Sequence, residues 1–213
     1  MKVMAEYFNE EAKKHDDLFV RQMGMTEFYD EIERQLDKSL IKNNILVLGC
    51  GTGLEIERIR CKANVTAIDI ASEMIIELEK KVLYPEVTLK TICGSFLDLY
   101  FGLEAYDLVL TCYAMHHFNE KQKIELYRNI RNSLTEGGVF LNGDSMEKSH
   151  YDELRRLQEA EQVYAEKNMS FGSLHIDSPF CWEHELEVLK KAGFTEIGLE
   201  RVWTRTKLYR AKK

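Results

Sequence analysis

Proline is nearly missing from this 213-residue chain, which has two of them and no low-complexity stretch. That excludes a proline-rich or disordered linker and leaves residues 1–213 to be read as a single domain. Long hydrophobic runs are also missing. Nothing approaches the roughly 20 apolar residues that span a bilayer, so no membrane partner is expected. The opening Met1-Lys2-Val3-Met4-Ala5-Glu6 lacks the apolar stretch of a signal peptide. The five cysteines are odd in number and form no Cys-x-x-Cys pair. Neither a disulfide framework nor a zinc site is indicated, no metal is expected, and reduced thiols suit a cytoplasmic protein. A basic surplus is absent too, the net charge being −7, which argues against a nucleic-acid partner. The nearest basic cluster is Lys42 with the tail Arg201, Arg205, Lys207, Arg210, Lys212 and Lys213, read as a solvated face. What remains is ordinary for a globular protein, 45% hydrophobic and 31% charged, and long enough for a full core.

The most informative stretch is Ile45-Leu46-Val47-Leu48-Gly49-Cys50-Gly51-Thr52-Gly53. Four apolar residues in a row read as a short buried strand. Glycines on alternate positions then turn the chain and let backbone N–H groups approach a bound molecule where a Cβ would intrude. Leu54 to Ile59 reads as helix, which gives the ligand-binding corner of a doubly wound α/β sheet. A dinucleotide cradle wants a small third residue at the position of Leu54, so the Gly-x-Gly-x-Gly spacing argues against it. Asp69 closes the next apolar run, Val65-Thr66-Ala67-Ile68. A carboxylate there can accept hydrogen bonds from both hydroxyls of a ribose, or cap the following helix.

Here the chain resembles the class I S-adenosylmethionine-dependent methyltransferases, in their small-molecule branch. The resemblance is carried by Leu46–Gly53, Ala67-Ile68-Asp69, Gly94-Ser95-Phe96, Tyr106–Phe118, Leu134–Leu141 and Ala192-Gly193-Phe194, in the family's order. It implies a seven-stranded Rossmann-like sheet in the order 3-2-1-4-5-7-6 with strand 7 antiparallel. It also implies S-adenosyl-L-methionine as cofactor and a small-molecule methyl acceptor. The cofactor residues it points to are Gly49, Cys50, Gly51, Gly53, Asp69, Ile70, Met74, Gly94, Ser95, Phe96, Thr111 and Cys112. Two positions depart from the family. Val47 stands where most relatives carry an acid, and Ser95 where they carry Asp.

Periodicity fills in the rest. Ahead of the first strand, Ala5, Phe8 and Ala12 form one helical stripe, and Phe28, Ile32, Leu36 and Leu40 another. With no sheet partner, residues 1–43 read as a helical cap over the ligand corner, lined by Tyr7, His15 and Phe19. Strands are expected at 44–49, 64–69, 87–93, 105–110, 139–143, 195–202 and 207–211. Core helices are expected at 53–61, 73–83 (capped by Ser72), 120–133 and 184–192. Residues 145–178, with a stripe of Tyr151, Leu154, Leu157, Ala160, Val163 and Tyr164, read as a helical lid inserted between strand 5 and the last helix.

Methyl transfer from a sulfonium asks the protein for alignment and a dry pocket, and for a base only if the nucleophile arrives protonated. His116 and His117 are the first candidates for a base, with Tyr113 and Asp144 beside them. The loop after strand 4 lacks the Pro-Pro-aromatic and Pro-Cys motifs of the enzymes that act on nucleobases. Three readings stay open: a small-molecule methyltransferase, an RNA or protein methyltransferase, and a non-catalytic module that only binds the nucleoside. The acceptor is not legible, and the chain is expected to be a monomer or a homodimer.

Overall fold

Ile45–Leu48 is apolar at every position because both faces of its strand are covered. In β1 (Asn44–Leu48), Ile45 and Val47 join a core with Phe28, Ile32 and Leu36 of helix α2 (Thr26–Ser39). Leu46 and Leu48 point the other way, into a core with Tyr127, Ile130 and Phe140. The computed structural model describes residues 2–39 and 44–213, with only the backbone for residues 37–39. Leu40 and Lys42, and part of the expected cap over 1–43, lie outside the described residues.

The strands are β1, β2 (Ala63–Asp69), β3 (Val87–Cys93), β4 (Tyr106–Cys112), β5 (Leu134–Ser145), β6 (Glu196–Val202) and β7 (Thr206–Lys212). They make one sheet in the order β3-β2-β1-β4-β5-β7-β6. β7 runs antiparallel to both β5 and β6, and the other pairings are parallel. This is the expected order. β1 and β4 are neighbours with the order reversing around them, so the carboxyl ends of β1, β2 and β4 open onto one crevice.

The remaining helices are α1 (Met4–Glu11), α3 (Ser72–Glu79), α4 (Glu120–Ser133), α5 (His150–Lys167) and α6 (Trp182–Lys191). The bounds of α4 match expectation, set by a capping box between Asn119 and Gln122. Three expectations are corrected. The helix over 53–61 is a single 3₁₀ turn, Ile56–Arg58, after which Ile59 is already extended. Leu54, Ile56 and Ile59 are all buried, but their spacing is not that of one helical face. Ser72 does not cap α3. It is the helix's first residue, and the Glu73 N–H donates to Asn9 Oδ1 of α1 at 2.9 Å. The strand expected at 139–143 extends over Leu134–Ser145, so Asp144 lies within it.

The stripe on α5 is also only half right. Tyr151 and Leu154 are exposed, at 77% and 44%, while Ala160 and Tyr164 are buried against Leu174. The first half of the helix is anchored by polar contacts. Glu153, fully buried, accepts the Cys181 N–H at 2.8 Å and bonds His184 of α6.

α1 and the segment after α5 are clasped together. Val3 bridges Leu174, the Met4 N–H donates to Ser173 O at 2.9 Å, and the His175 N–H to Lys2 O at 3.2 Å. The Tyr7 and His175 rings stack at 3.7 Å.

Candidate active site

The glycine loop after β1 is tight on two sides. Gly49 has φ +65°, and a Cβ there would lie 2.7 Å from Ala114 Cβ. Gly53 has φ +78°, and its Cβ would lie 2.4 Å from Leu78 Cδ1 on α3. A side chain fits neither the backbone nor the space. Asp69, at the end of β2, accepts the Gly51 N–H and the Ala71 N–H, both at 2.8 Å. Burial pushes its carboxyl above the usual range, against the pull of these donors. Thr52 ties the loop to the cap through Asp16 at 2.5 Å and His15 at 3.3 Å, and Asp16 pairs with Lys81 at 2.8 Å.

Above the loop lies a cavity enclosing about 870 Å³ of empty space, the solvent at its mouth included. Gly49, Cys50 and Gly51 line it from β1, Asp69, Ile70 and Met74 from β2 and α3, and Ser95 and Phe96 from the turn after β3. Cys112 and His117 close it from the β4 side, and His15 and Phe19 from the cap. The roof is supplied by Met4 and Phe8 of α1 and by Gly172. Four of the expected residues do not reach it. Gly53 packs under α3. The Gly94 N–H donates to Asp69 O at 2.8 Å. Thr111 is buried in β4, and His116 is held between Asp144 and Asp177. Tyr7 does not line the cavity either; it holds the roof through His175.

The loop after β4 starts with Tyr113 at φ +54°, an unusual conformation for a bulky residue that needs the surroundings to enforce it. Its N–H donates to Gly143 O at 2.8 Å, and its hydroxyl bonds Thr206 Oγ1 at 2.9 Å. Burial pushes that hydroxyl well above its ordinary value, so it stays neutral. Asp144 then accepts from the Met115 and His116 N–H groups at 2.8 and 3.1 Å, and its Oδ1 lies 2.5 Å from His116 Nδ1.

The two histidines are pushed in opposite directions. For His116, burial alone would lower the pKa, but Asp144, helped by Asp177, holds it up at about 9. His116 is therefore an imidazolium at neutral pH, with no lone pair to take a proton. His117 is pushed down to about 3 by burial and by the charge of His116. It is neutral, with Nδ1 3.3 Å from Ile176 O. Nδ1 can only donate to that carbonyl, which leaves the Nε2 lone pair as the acceptor.

A methyltransferase-domain family model matches residues 45–138, the stretch from the glycine loop to the start of β5. A carboxy-S-adenosyl-L-methionine synthase of Nautilia profundicola is 25% identical over 93% of this chain and 90% of its own length. A malonyl-[acyl-carrier protein] O-methyltransferase of Priestia megaterium is 30% identical over 61% of this chain. The match covers only 47% of that protein. Among solved structures, the DhpI–SAH complex superposes with a TM-score of 0.73 at 18% identity, covering 98% of this chain and 94% of that one. Together these likenesses support a class I S-adenosylmethionine-dependent methyltransferase.

The methyltransferase cavity also contains residues that sequence reasoning missed. Tyr29 of α2, Leu54 and Glu55 line it on the side away from the roof, and Leu97, Ala114 and Phe118 on the β3–β4 side. Glu55 stands between Leu54 and Ile56, both buried, but an acid in a turn gives no sequence signal of a cavity. Among the described residues, no Lys or Arg lines the cavity, and no helix is long and apolar enough to cross a membrane.

Proposed function

We propose that this methyltransferase moves a methyl group from S-adenosylmethionine to a small molecule held in the same cavity. The observation that carries this reading is the joint lining of one enclosed space. The glycine loop and Asp69 form its floor, and Met4, Phe8 and Gly172 its roof. A roof made from α1 and the segment after α5 leaves room for a small acceptor, whereas an RNA or protein substrate calls for an open, basic groove. The names of the relatives, a carboxy-S-adenosyl-L-methionine synthase and an O-methyltransferase of a malonyl group on its carrier protein, favour chemistry on a small group.

The cavity fits the cofactor. The floor at Gly49 and Gly51 offers bare backbone, and Asp69 stands at the end of β2 to receive the ribose hydroxyls. Ile70, Met74, Ser95 and Phe96, which line the same cavity, would hold the base, and Cys50 and Cys112 line it beside the loop. When bound, S-adenosylmethionine supplies a methyl group already activated on a cationic sulfur. The chain's own work is to align the acceptor with that methyl group and to exclude water. Where the nucleophile arrives protonated, His117 is the neutral imidazole that lines the cavity, a weak base because burial and the charge of His116 push it down to about 3, and His116 braces the loop that presents it.

Calorimetry with S-adenosylhomocysteine tests the assignment. Tight binding is expected, together with no binding of NAD and a loss of about 1.5–3 kcal/mol in Asp69→Ala. Unchanged affinity in that variant would place the ribose elsewhere. A cell extract incubated with labelled methyl donor then separates an enzyme, which labels a metabolite, from a module that only binds.

A further inference from the structure

Glu55 directly follows the glycine loop and is 4% exposed. Its Oε1 is buried with no hydrogen-bond partner among the described residues. Buried carboxyl oxygens are almost always bonded, so an exception calls for an explanation. The side chain lines the same cavity as Phe19, Tyr29, Cys112 and Tyr113, and its charge acts on Tyr29 and Cys112. The cation that acts on it, Lys81, is already held by Asp16 and Glu57 at 2.8 and 2.6 Å. Among the described residues, the cavity therefore combines a buried carboxyl oxygen without a partner, the rings of Phe19, Tyr29 and Tyr113, and no lysine or arginine.

We propose that Glu55 receives an aliphatic ammonium group of a molecule filling the cavity, seated between its carboxylate and the rings of Phe19, Tyr29 and Tyr113. A carboxylate supplies a charge-assisted hydrogen bond to an ammonium, and aromatic faces attract it further. The proposal rests on reading the cavity as the cofactor and acceptor pocket. Two ligands there can carry such a group: the amino-acid end of the cofactor, or an amine on the acceptor.

Burial pushes Glu55 up to about 8, with Lys81 pulling it down and Asp69 and Asp16 pushing it further up. At pH 7 the free protein therefore holds Glu55 as the neutral acid. Arrival of the ammonium ionises it, and one proton passes to solvent. A carboxyl that merely fills space would release none.

The test is calorimetry at pH 7 in two buffers of different ionisation enthalpy, on the wild type and Glu55→Gln. The ligands are S-adenosylhomocysteine, 5′-methylthioadenosine (which lacks the amino-acid group), and butylammonium or butanol added to the S-adenosylhomocysteine complex. If the cofactor supplies the ammonium, S-adenosylhomocysteine releases a proton and methylthioadenosine does not. Glu55→Gln then weakens only the former, by about tenfold or more. If the acceptor supplies it, the variant leaves both nucleosides unchanged. Butylammonium then binds the wild-type complex with proton release, fails with Glu55→Gln, and is not replaced by butanol. The proposal is overturned if neither S-adenosylhomocysteine nor butylammonium releases a proton on binding the wild type. That readout needs no variant and stands even if Glu55→Gln does not fold. Failure of S-adenosylhomocysteine to bind the wild type at all would instead overturn the pocket assignment itself.

Discussion

His116 Nδ1 lies 2.5 Å from Asp144 Oδ1, and the same carboxylate receives the backbone N–H groups of Met115 and His116. The contact is a staple, fixing the loop after β4 against β5. His116 ordinarily titrates at 6.5 and is held at about 9 in the fold. The native state therefore keeps a proton that the unfolded chain releases. The stability from this pair is fully present below pH 6.5 and is lost as pH rises through 9. Urea unfolding across that range should show the decline in the wild type and a shallower one in His116→Gln. Asp144→Asn should cost about 3–5 kcal/mol at pH 6, because it strands a buried charge. Equal slopes in wild type and His116→Gln would show that the imidazole is not charged.

Gly53 combines a left-handed backbone with a neighbour 2.4 Å from any added Cβ, whereas Gly24 has φ +67° and nothing within 4 Å. Comparing the two separates conformational strain from crowding. Gly53→Ala should destabilise by about 1–3 kcal/mol more than Gly24→Ala, the usual range for overpacking. Thermal or urea melts of the two variants measure it. Equal losses would mean that Leu78 moves aside at little cost.

The parts of this fold that could be read in advance are those decided locally. An apolar run between polar ends gives a two-sided strand whatever its neighbours are. Glycines at 49, 51 and 53 announce a close backbone approach, and Asn119 with Gln122 sets the start of α4. The parts that could not be read depend on distant residues. Asn9 takes the capping role expected of Ser72. Glu153 is buried because His184 and the Cys181 N–H meet it there, which turns Tyr151 outward. At the site, the floor was legible from its motif. Tyr29 and Glu55 were not, because a tyrosine on a cap helix and an acid in a turn carry no signal of the cavity they share.

Glu55 also changes the pH dependence of the empty protein. Its ordinary value is 4.5, and burial raises it to about 8. The folded state therefore binds a proton that the unfolded state lacks between those values. This contribution to stability is complete below pH 4.5 and lost as pH rises through 8. Glu55→Gln keeps the shape and removes the titration. Its urea midpoint should fall less than that of the wild type between pH 5 and pH 8.5, so that the variant is the more stable protein at the upper end. Parallel curves would place Glu55 in water.

The cysteines give a chemical footprint of the pocket. Cys93 is exposed, whereas Cys50 and Cys112 are buried and line the cavity. Burial pushes both buried thiols well above their ordinary value, and thiols rather than thiolates react slowly. A disulfide reagent should modify Cys93 first and Cys50 and Cys112 much later. S-adenosylhomocysteine should slow the latter two and leave Cys93 unchanged. Peptide mapping of a time course reads each site. Equal rates at Cys50 and Cys112 with and without ligand would remove both from the cofactor's surroundings.

The roof should open for ligand exchange. It is held by the Val3–Leu174 bridge, two backbone hydrogen bonds and the stacked rings of Tyr7 and His175. Beneath it lie only two small apolar clusters, Phe8 against Ala12 and Met74 and Leu174 against Ala160 and Tyr164, and the cavity lined by Met4, Phe8 and Gly172. A segment with so few buried contacts opens at lower free energy than the sheet, and a ligand that touches the roof from below holds it shut. Limited proteolysis should therefore cut within the first 20 residues and within 145–178 before it cuts the sheet strands. S-adenosylhomocysteine should slow those cuts. Tyr7→Ala removes a ring stack worth about 0.5–1.5 kcal/mol, and should speed cutting of the free protein several-fold while leaving its global urea midpoint almost unchanged. Equal cleavage with and without ligand, in wild type and variant alike, would show that both segments are fixed parts of the core.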